Sequence, residues 1–111
     1  MKTKPKIYVA GPFSRGDTAE NIRRAVETAD ALAEKGFVPF IPHLNHFWNL
    51  ISPKAENFWI EWDNEFLVLC DAVYRIAGVS PGSDNEEKLA EKNGIPVFHS
   101  LEELYRFFET A

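Results

Sequence analysis

Glu86 stands where a parallel α/β protein would put a reacting carboxylate. Before it comes an apolar run, Ala72-Val73-Tyr74-Arg75-Ile76, which reads as a short buried strand. Gly78, Pro81 and Gly82 then break the strand into a loop. Ser83-Asp84-Asn85-Glu86 opens a helix that closes at Gly94. Strand, glycine-rich turn and helix is the arrangement that places ligands at the carboxyl end of a parallel strand. Backbone amides in the first helical turn favour an ionised carboxylate there. Two roles are therefore open to Glu86: it reacts, or it completes a capping box with Ser83 and reaches back to the Ser83 amide.

The other polar side chains are less specific. Asp63 sits mid-helix between Trp62 and Asn64, where an aspartate usually faces solvent, as Glu61 and Glu65 beside it can. Asp71, just before the third strand, reads as a turn or cap residue. His43, His46 and His99 lack metal-ligand spacing and Cys70 has no companion ligand, so no metal is expected. There is no P-loop, and Gly11 to Gly16 do not form the dinucleotide fingerprint, so no cofactor is expected either.

The elements that must position these residues follow in order. Lys6 to Ala10 is a first strand, ended by Gly11-Pro12, with Phe13-Ser14-Arg15-Gly16 as the loop after it. Asp17 and Glu20 begin a helix in capping-box fashion. Ile22, Ala25, Val26, Ala29, Leu32 and Ala33 give it one apolar stripe, and Gly36 stops it. Phe37 to Ile41 is a second strand, placed at a sheet edge by Pro39, which has no N–H to donate. Pro42 to Glu56 reads as a long loop of aromatic and polar residues, a kind that often carries function. Asn57 caps a helix from Phe58 to Leu69. Ile95 to Phe98 is the last strand, and Ser100 with Glu103 caps a final helix whose Leu101, Leu104, Tyr105 and Phe108 share a face. The pattern βαβαβαβα predicts a single α/β domain over residues 1–111, flavodoxin-like or Rossmann-like. It is a three-layer sandwich around a four-stranded parallel sheet of order 2-1-3-4. The switch point then falls between the first and third strands, where the loops after Ala10 and Ile76 both open.

With 111 residues the chain suits one domain rather than two. Its net charge of -5 has acid and base interspersed and no basic stripe, which argues against a nucleic-acid polymer as partner. One cysteine excludes an internal disulfide and fits a reducing compartment. No apolar run approaches the roughly 18 residues of a membrane span. The basic opening Met1 to Lys6 leads into a strand too short for a signal-peptide core, so the expected location is the cytoplasm. All three tryptophans lie between Trp48 and Trp62, the one anomaly of composition.

In their order and spacing, these residues resemble the nucleoside 2-deoxyribosyltransferase superfamily, and within it a small branch labelled a domain of unknown function. Ile7-Tyr8-Val9-Ala10-Gly11-Pro12-Phe13 resembles its first strand and loop, and Asn21-Ile22 and Ala25 fit the next helix. Trp62-Asp63 to Leu67 and Cys70 to Tyr74 resemble the lead into the central strand. Gly78-Val79-Ser80-Pro81-Gly82-Ser83-Asp84-Asn85-Glu86 is similar to the branch's Gly-x-Ser-x-Gly-x-Asp-x-Glu signature. Glu86 stands eight residues before Gly94-Ile95-Pro96-Val97, as the family's nucleophile does before Gly-x-Pro-Val. The resemblance covers nearly the whole chain.

The resemblance implies a small-molecule nucleoside or nucleotide as substrate and cleavage or transfer at the N-glycosidic bond of a 2′-deoxynucleoside or its 5′-monophosphate. It implies Glu86 as nucleophile, Asp63 as the group that handles protons at the leaving base, and Tyr8 as the hydroxyl that orients Glu86. Gly82 matches the glycine that lets the sugar approach the backbone. Gly11, Phe13, Ser14, Arg15, Gly78, Ser80 and Asp84 share the two loops and are expected to touch substrate. Phe13, Trp48 and Trp59 offer faces for the base, or else pack in a core or an oligomer contact. Homo-oligomerisation, as a dimer or more, is expected because three tryptophans are more aromatic surface than so small a domain readily hides. The family's transferases are longer and carry a C-terminal segment that reaches a neighbouring active site, whereas this chain ends soon after its last helix. Its related monophosphate hydrolases have a Gly-Ser/Arg-rich first loop, which Ser14-Arg15-Gly16 matches in kind but Pro12-Phe13 interrupts. Two alternatives accompany the transferase expectation: a deoxynucleoside monophosphate N-glycosidase, and a non-catalytic nucleotide-binding or sensing module.

Overall fold

Four residues in a row, Ile7 to Ala10, are fully buried in β1 (Lys6–Ala10). A strand covered on both faces belongs at the centre of a parallel sheet. The computed structural model describes residues 3–110; Met1 and Lys2 of the basic opening segment and Ala111 lie outside them. β1 pairs in parallel with β2 (Val38–Phe40) on one side and β3 (Ala72–Arg75) on the other, and β3 pairs with β4 (Val97–Phe98). The order is β2-β1-β3-β4, as the sequence predicts, with Pro39 on an edge strand.

The two-residue strand period separates two cores. Ile7 and Val9 pack with Ala25 and Leu32 of α1 (Thr18–Glu34) and Leu104 of α5 (Leu101–Thr110). Tyr8 and Ala10 pack on the other face, with Leu67 of α3 (Glu56–Leu67), Val73 of β3 and Ala90 of α4 (Pro81–Lys92). This alternation is what turns the Tyr8 phenol towards α3 and α4. The last helix carries the face its sequence predicts, with Leu101, Tyr105 and Phe108 packed beside Leu104.

Several local expectations are corrected. In α1 the buried stripe is Asn21, Ala25, Ala29 and Leu32, while Val26 and Ala33 are exposed. Asn21 earns a buried place because its amide donates to the Phe13 and Arg15 carbonyls, at 3.0 and 2.7 Å, and so pins the first loop to the helix. Pro42 to Glu56 is not a loop. Pro42 starts a single 3-10 turn through Leu44, where its fixed φ is an advantage, and α2 (Asn45–Ile51) continues from it. α3 begins at Glu56 behind Ala55, with no side-chain cap, so Asn57 is not the capping residue. α4 begins two residues before the predicted start. Pro81 takes the first helical position and the Ser80 hydroxyl accepts from the Ser83 amide at 3.1 Å. Ser83 is therefore no N-cap, and Glu86 is released from the capping-box role.

The two loops at the switch point nest tightly. A Cβ on Gly11 would stand 2.9 Å from the Ile76 Cβ, and one on Gly78 would stand 2.7 Å from the Pro12 side chain. Gly78 also has φ +130°, which side chains seldom tolerate.

Candidate active site

The nested loops, α2, α3 and the start of α4 enclose a cavity of about 250 Å3. That is ample for a small ligand rather than a water or two. Glu86 lies on its wall. The Tyr8 hydroxyl, rising from the centre of β1, donates a hydrogen bond to Glu86 Oε2. Asp63 lines the same cavity from α3. Mid-helix, it faces inward because the Asn45 amide of α2 donates to Asp63 Oδ1 at 2.7 Å.

Trp59 also lines the cavity, one helical turn before Asp63. Its indole N–H donates at 2.8 Å to Asn49 Oδ1, which also accepts from the Lys54 amide at 2.9 Å. Asn45 and Asn49 are four residues apart, hence on one face of α2. One holds the carboxyl and the other the indole. Phe13 reaches in from the first loop, edge-on to His46 at 5.5 Å between ring centroids. His43 is buried, with Nε2 3.0 Å from the Pro12 carbonyl and Nδ1 lacking a hydrogen-bond partner. Since a carbonyl only accepts, the ring donates from Nε2. Burial lowers the His43 pKa against the opposing pull of the Pro12 and Gly11 carbonyls, so the ring is neutral.

Burial dominates the electrostatics. It pushes the Glu86 carboxyl up to about 7; the nearby Asp63 charge adds to this, while the Tyr8 hydrogen bond, Arg75 and the Ser83 side chain oppose it. Burial likewise carries Asp63 up to about 7 against the Asn45 hydrogen bond. Tyr8 is held well above its ordinary range, first by burial and then by the Glu86 and Asp63 charges, so it remains a hydrogen-bond donor. The Cys70 thiol, raised to about 11 by burial and Asp71, is an unreactive core group.

Of the residues expected from sequence, the structure brings Glu86, Asp63, Gly11, Phe13, Ser80, Gly82 and Trp59 onto the cavity, with Tyr8 directly behind Glu86. Ser14 and Arg15 instead lie exposed outside it, where the first loop is tied down to Asn21. Gly78 and Asp84 are engaged by Arg75. Trp48 packs edge-on against Trp59 and Trp62, at 5.1 and 5.2 Å, rather than against the cavity. Asn45, Asn49, His43 and Ser83 are among the lining residues that sequence reasoning missed. The spacing of Asn45 and Asn49 was a usable signal, hidden by reading their helix as a loop. Among the described residues no group of His, Cys, Asp or Glu could hold a metal ion, and no helix is long and apolar enough to cross a membrane.

The chain belongs to the family described as Domain of unknown function (DUF7768), which matches residues 5–100. Among solved structures it is similar to a 2-deoxyribosyltransferase from Bacillus psychrosaccharolyticus, at 24% identity and a TM-score of 0.64 over 83% of this chain and 69% of that one. At that identity the likeness is one of fold: the four-stranded parallel sheet and its flanking helices. It is also similar to a conserved protein from Enterococcus faecalis V583, at 31% identity and a TM-score of 0.64 over 85% of this chain. The matched region spans 61% of that protein's length. No curated protein matches the chain.

Proposed function

We propose that this protein cleaves the N-glycosidic bond of a 2′-deoxynucleoside or its 5′-monophosphate, with Glu86 as nucleophile and Asp63 as acid. The observation that carries the proposal is the Tyr8 hydroxyl bonded to Glu86 in a cavity that also holds Asp63. An attacking carboxylate must be ionised and aimed, and a nucleobase leaves far more readily once protonated. Tyr8, Ser83 and Arg75 all favour the ionised form of Glu86. Asp63 has only the Asn45 amide for that purpose. The proposed chemistry requires that, when the pair holds one proton, the proton rests on Asp63.

In the first step a Glu86 carboxylate oxygen bonds to C1′ as the C1′–N bond breaks. The bonding pair goes to the base nitrogen, which takes the proton from Asp63. A second base or a water then displaces the sugar from Glu86 and returns a proton to Asp63. Trp59 and Phe13 supply apolar faces for the base. The fold shared with a 2-deoxyribosyltransferase supports this chemistry.

The test is incubation with a panel of deoxynucleosides and their 5′-monophosphates, with free base measured by chromatography. Base should appear with at least one member and vanish with Glu86→Ala. Ligand binding without any base release would overturn the catalytic reading in favour of a nucleotide-binding module.

The proposal extends to assembly. Phe47, Leu50 and Ile51 on α2 are 54%, 65% and 87% exposed. Ile60 on α3, 48% exposed, also lines the cavity. Apolar patches of this kind mark interfaces, and a second copy seated here would complete the outer wall of the site. Sedimentation velocity at micromolar concentration should give a dimer or larger; a monomer refutes the extension.

A further inference from the structure

Arg75 ends β3 and is only 7% exposed, although it carries a full charge. A buried guanidinium must be paired, and this one is. Nε donates to the Ile76 carbonyl at 3.0 Å and Nη2 to the Gly78 carbonyl at 2.7 Å. Nη1 donates to Asp84 Oδ1 at 2.9 Å and Glu87 Oε2 at 2.8 Å. Asp84 and Glu87 lie three residues apart on α4, with Glu86 between them in sequence. One side chain thus ties together the end of β3, the loop after it and the first two turns of α4. It does so without lining the cavity.

We propose that Arg75 is the positioning residue of the site. It fixes the rotation of α4 so that Glu86 meets the Tyr8 hydroxyl, and it sets a permanent positive charge behind Glu86. The proposal rests on the reading of Glu86 as the reacting carboxylate. The strand period supports it, because Val73 and Arg75 project to the same sheet face, where α4 packs. So does the fork geometry: a guanidinium reaches two carboxylates and two carbonyls at once, whereas an ammonium is a point charge.

The groups acting on Glu86 come from every element around it. Tyr8 approaches from β1, Asp63 from α3, Ser83 from α4 itself and Arg75 from β3. His43, neutral and buried, and Glu56 line the same cavity. Asp84 and Glu87 are spent on Arg75, and His99 stands 3.5 Å from Glu87 beyond β4. Burial and Asp63 favour the protonated carboxyl, and Arg75 opposes them.

The experiment titrates the Glu86 carboxyl by carbon-13 NMR in the wild-type protein, Arg75→Met and Arg75→Lys, and measures kcat and KM for base release in each. In Arg75→Met the Glu86 midpoint should rise by about one pH unit, and kcat near pH 6 should fall about a hundredfold, about tenfold from the lost ionised fraction and about tenfold from the lost fork, with KM little changed. Arg75→Lys keeps the charge and loses the fork. Its midpoint should stay at the wild-type value while kcat falls about tenfold or more. A folded Arg75→Met whose midpoint or kcat equals wild type overturns the proposal. Should Arg75→Met fail to fold, Arg75→Lys decides alone, and full kcat there overturns it. The titration needs no turnover. If the wild-type protein releases no base from any substrate, the proposed function fails, and the NMR midpoints of the variants still decide whether Arg75 governs Glu86.

Discussion

Glu86→Gln separates what this side chain does for chemistry from what it costs the fold. Burial holds the folded carboxyl at about 7, against 4.5 for a carboxyl free of the site. The folded state therefore binds the proton more tightly than the unfolded state does. The sign follows from linkage: Glu86 imposes no penalty below pH 4.5, an increasing one from there to about pH 7, and a constant one above. At about 1.4 kcal/mol per pH unit, the penalty reaches roughly 3 kcal/mol. Glutamine keeps the shape and an acceptor for the Tyr8 hydroxyl but cannot ionise. The variant should match wild type near pH 4.5 and exceed it at pH 8 by up to roughly 3 kcal/mol, or roughly 10 to 20 °C in Tm for a domain of this size. It should also release no base.

Urea unfolding at several pH values between 4.5 and 8 reads this directly. The signal is the fluorescence of Trp48, Trp59 and Trp62, which pack on one another. The informative quantity is the difference between the two stability curves as a function of pH. Parallel curves would mean that Glu86 titrates as an ordinary surface carboxylate, and the account of the site would fall with it. A variant less stable by about 1 kcal/mol at every pH would return Glu86 to a capping role. A gain in stability coupled to a loss of activity is the signature of a group kept for function at the expense of the fold.

Tyr8→Phe removes a hydrogen bond to a charged acceptor, worth about 1.5–3 kcal/mol, so kcat should fall about 10- to 100-fold. The Glu86 midpoint should move upward; an unchanged rate of base release would remove Tyr8 from the machinery. Asp63→Asn keeps the hydrogen-bonding shape but not the proton, and should lower kcat by about 10²–10⁴ while KM shifts only a few-fold. An equal loss through KM would make Asp63 a binding residue instead. Base release by the wild type should trace a bell against pH centred near 7, falling on the acid side as Glu86 gains its proton and on the alkaline side as Asp63 loses its own. A plateau extending to pH 9 would exclude Asp63 as the acid.

How much of this was legible in the sequence depends on how local the cause is. The sheet order was legible because it follows from four apolar runs, three helical crossovers and one proline, each a local signal, joined by the handedness of the crossover. The pairing of Tyr8 with Glu86 came from family resemblance. No local pattern states it, since the two residues are 78 apart and meet only through the order β2-β1-β3-β4. Asp63 shows the limit most clearly. A mid-helix aspartate points to solvent by default, and only the Asn45 amide from another helix turns that default around. That helix, α2, is seven residues long and has no side-chain cap, so its propensity is too weak to register without the aromatic contacts that hold it. The same tertiary dependence governs Arg75, which reads as an anomalous charge inside an apolar strand until α4 supplies Asp84 and Glu87. In each case the missing term is a polar partner supplied by a distant element. The Glu86 carboxyl, Asp63 carboxyl and Arg75 guanidinium are the groups whose burial would be prohibitive without such partners. Asp63 and Arg75 are thus harder to place from sequence than Glu86, because a side chain needed in an unfavourable environment must borrow its support from elsewhere in the fold.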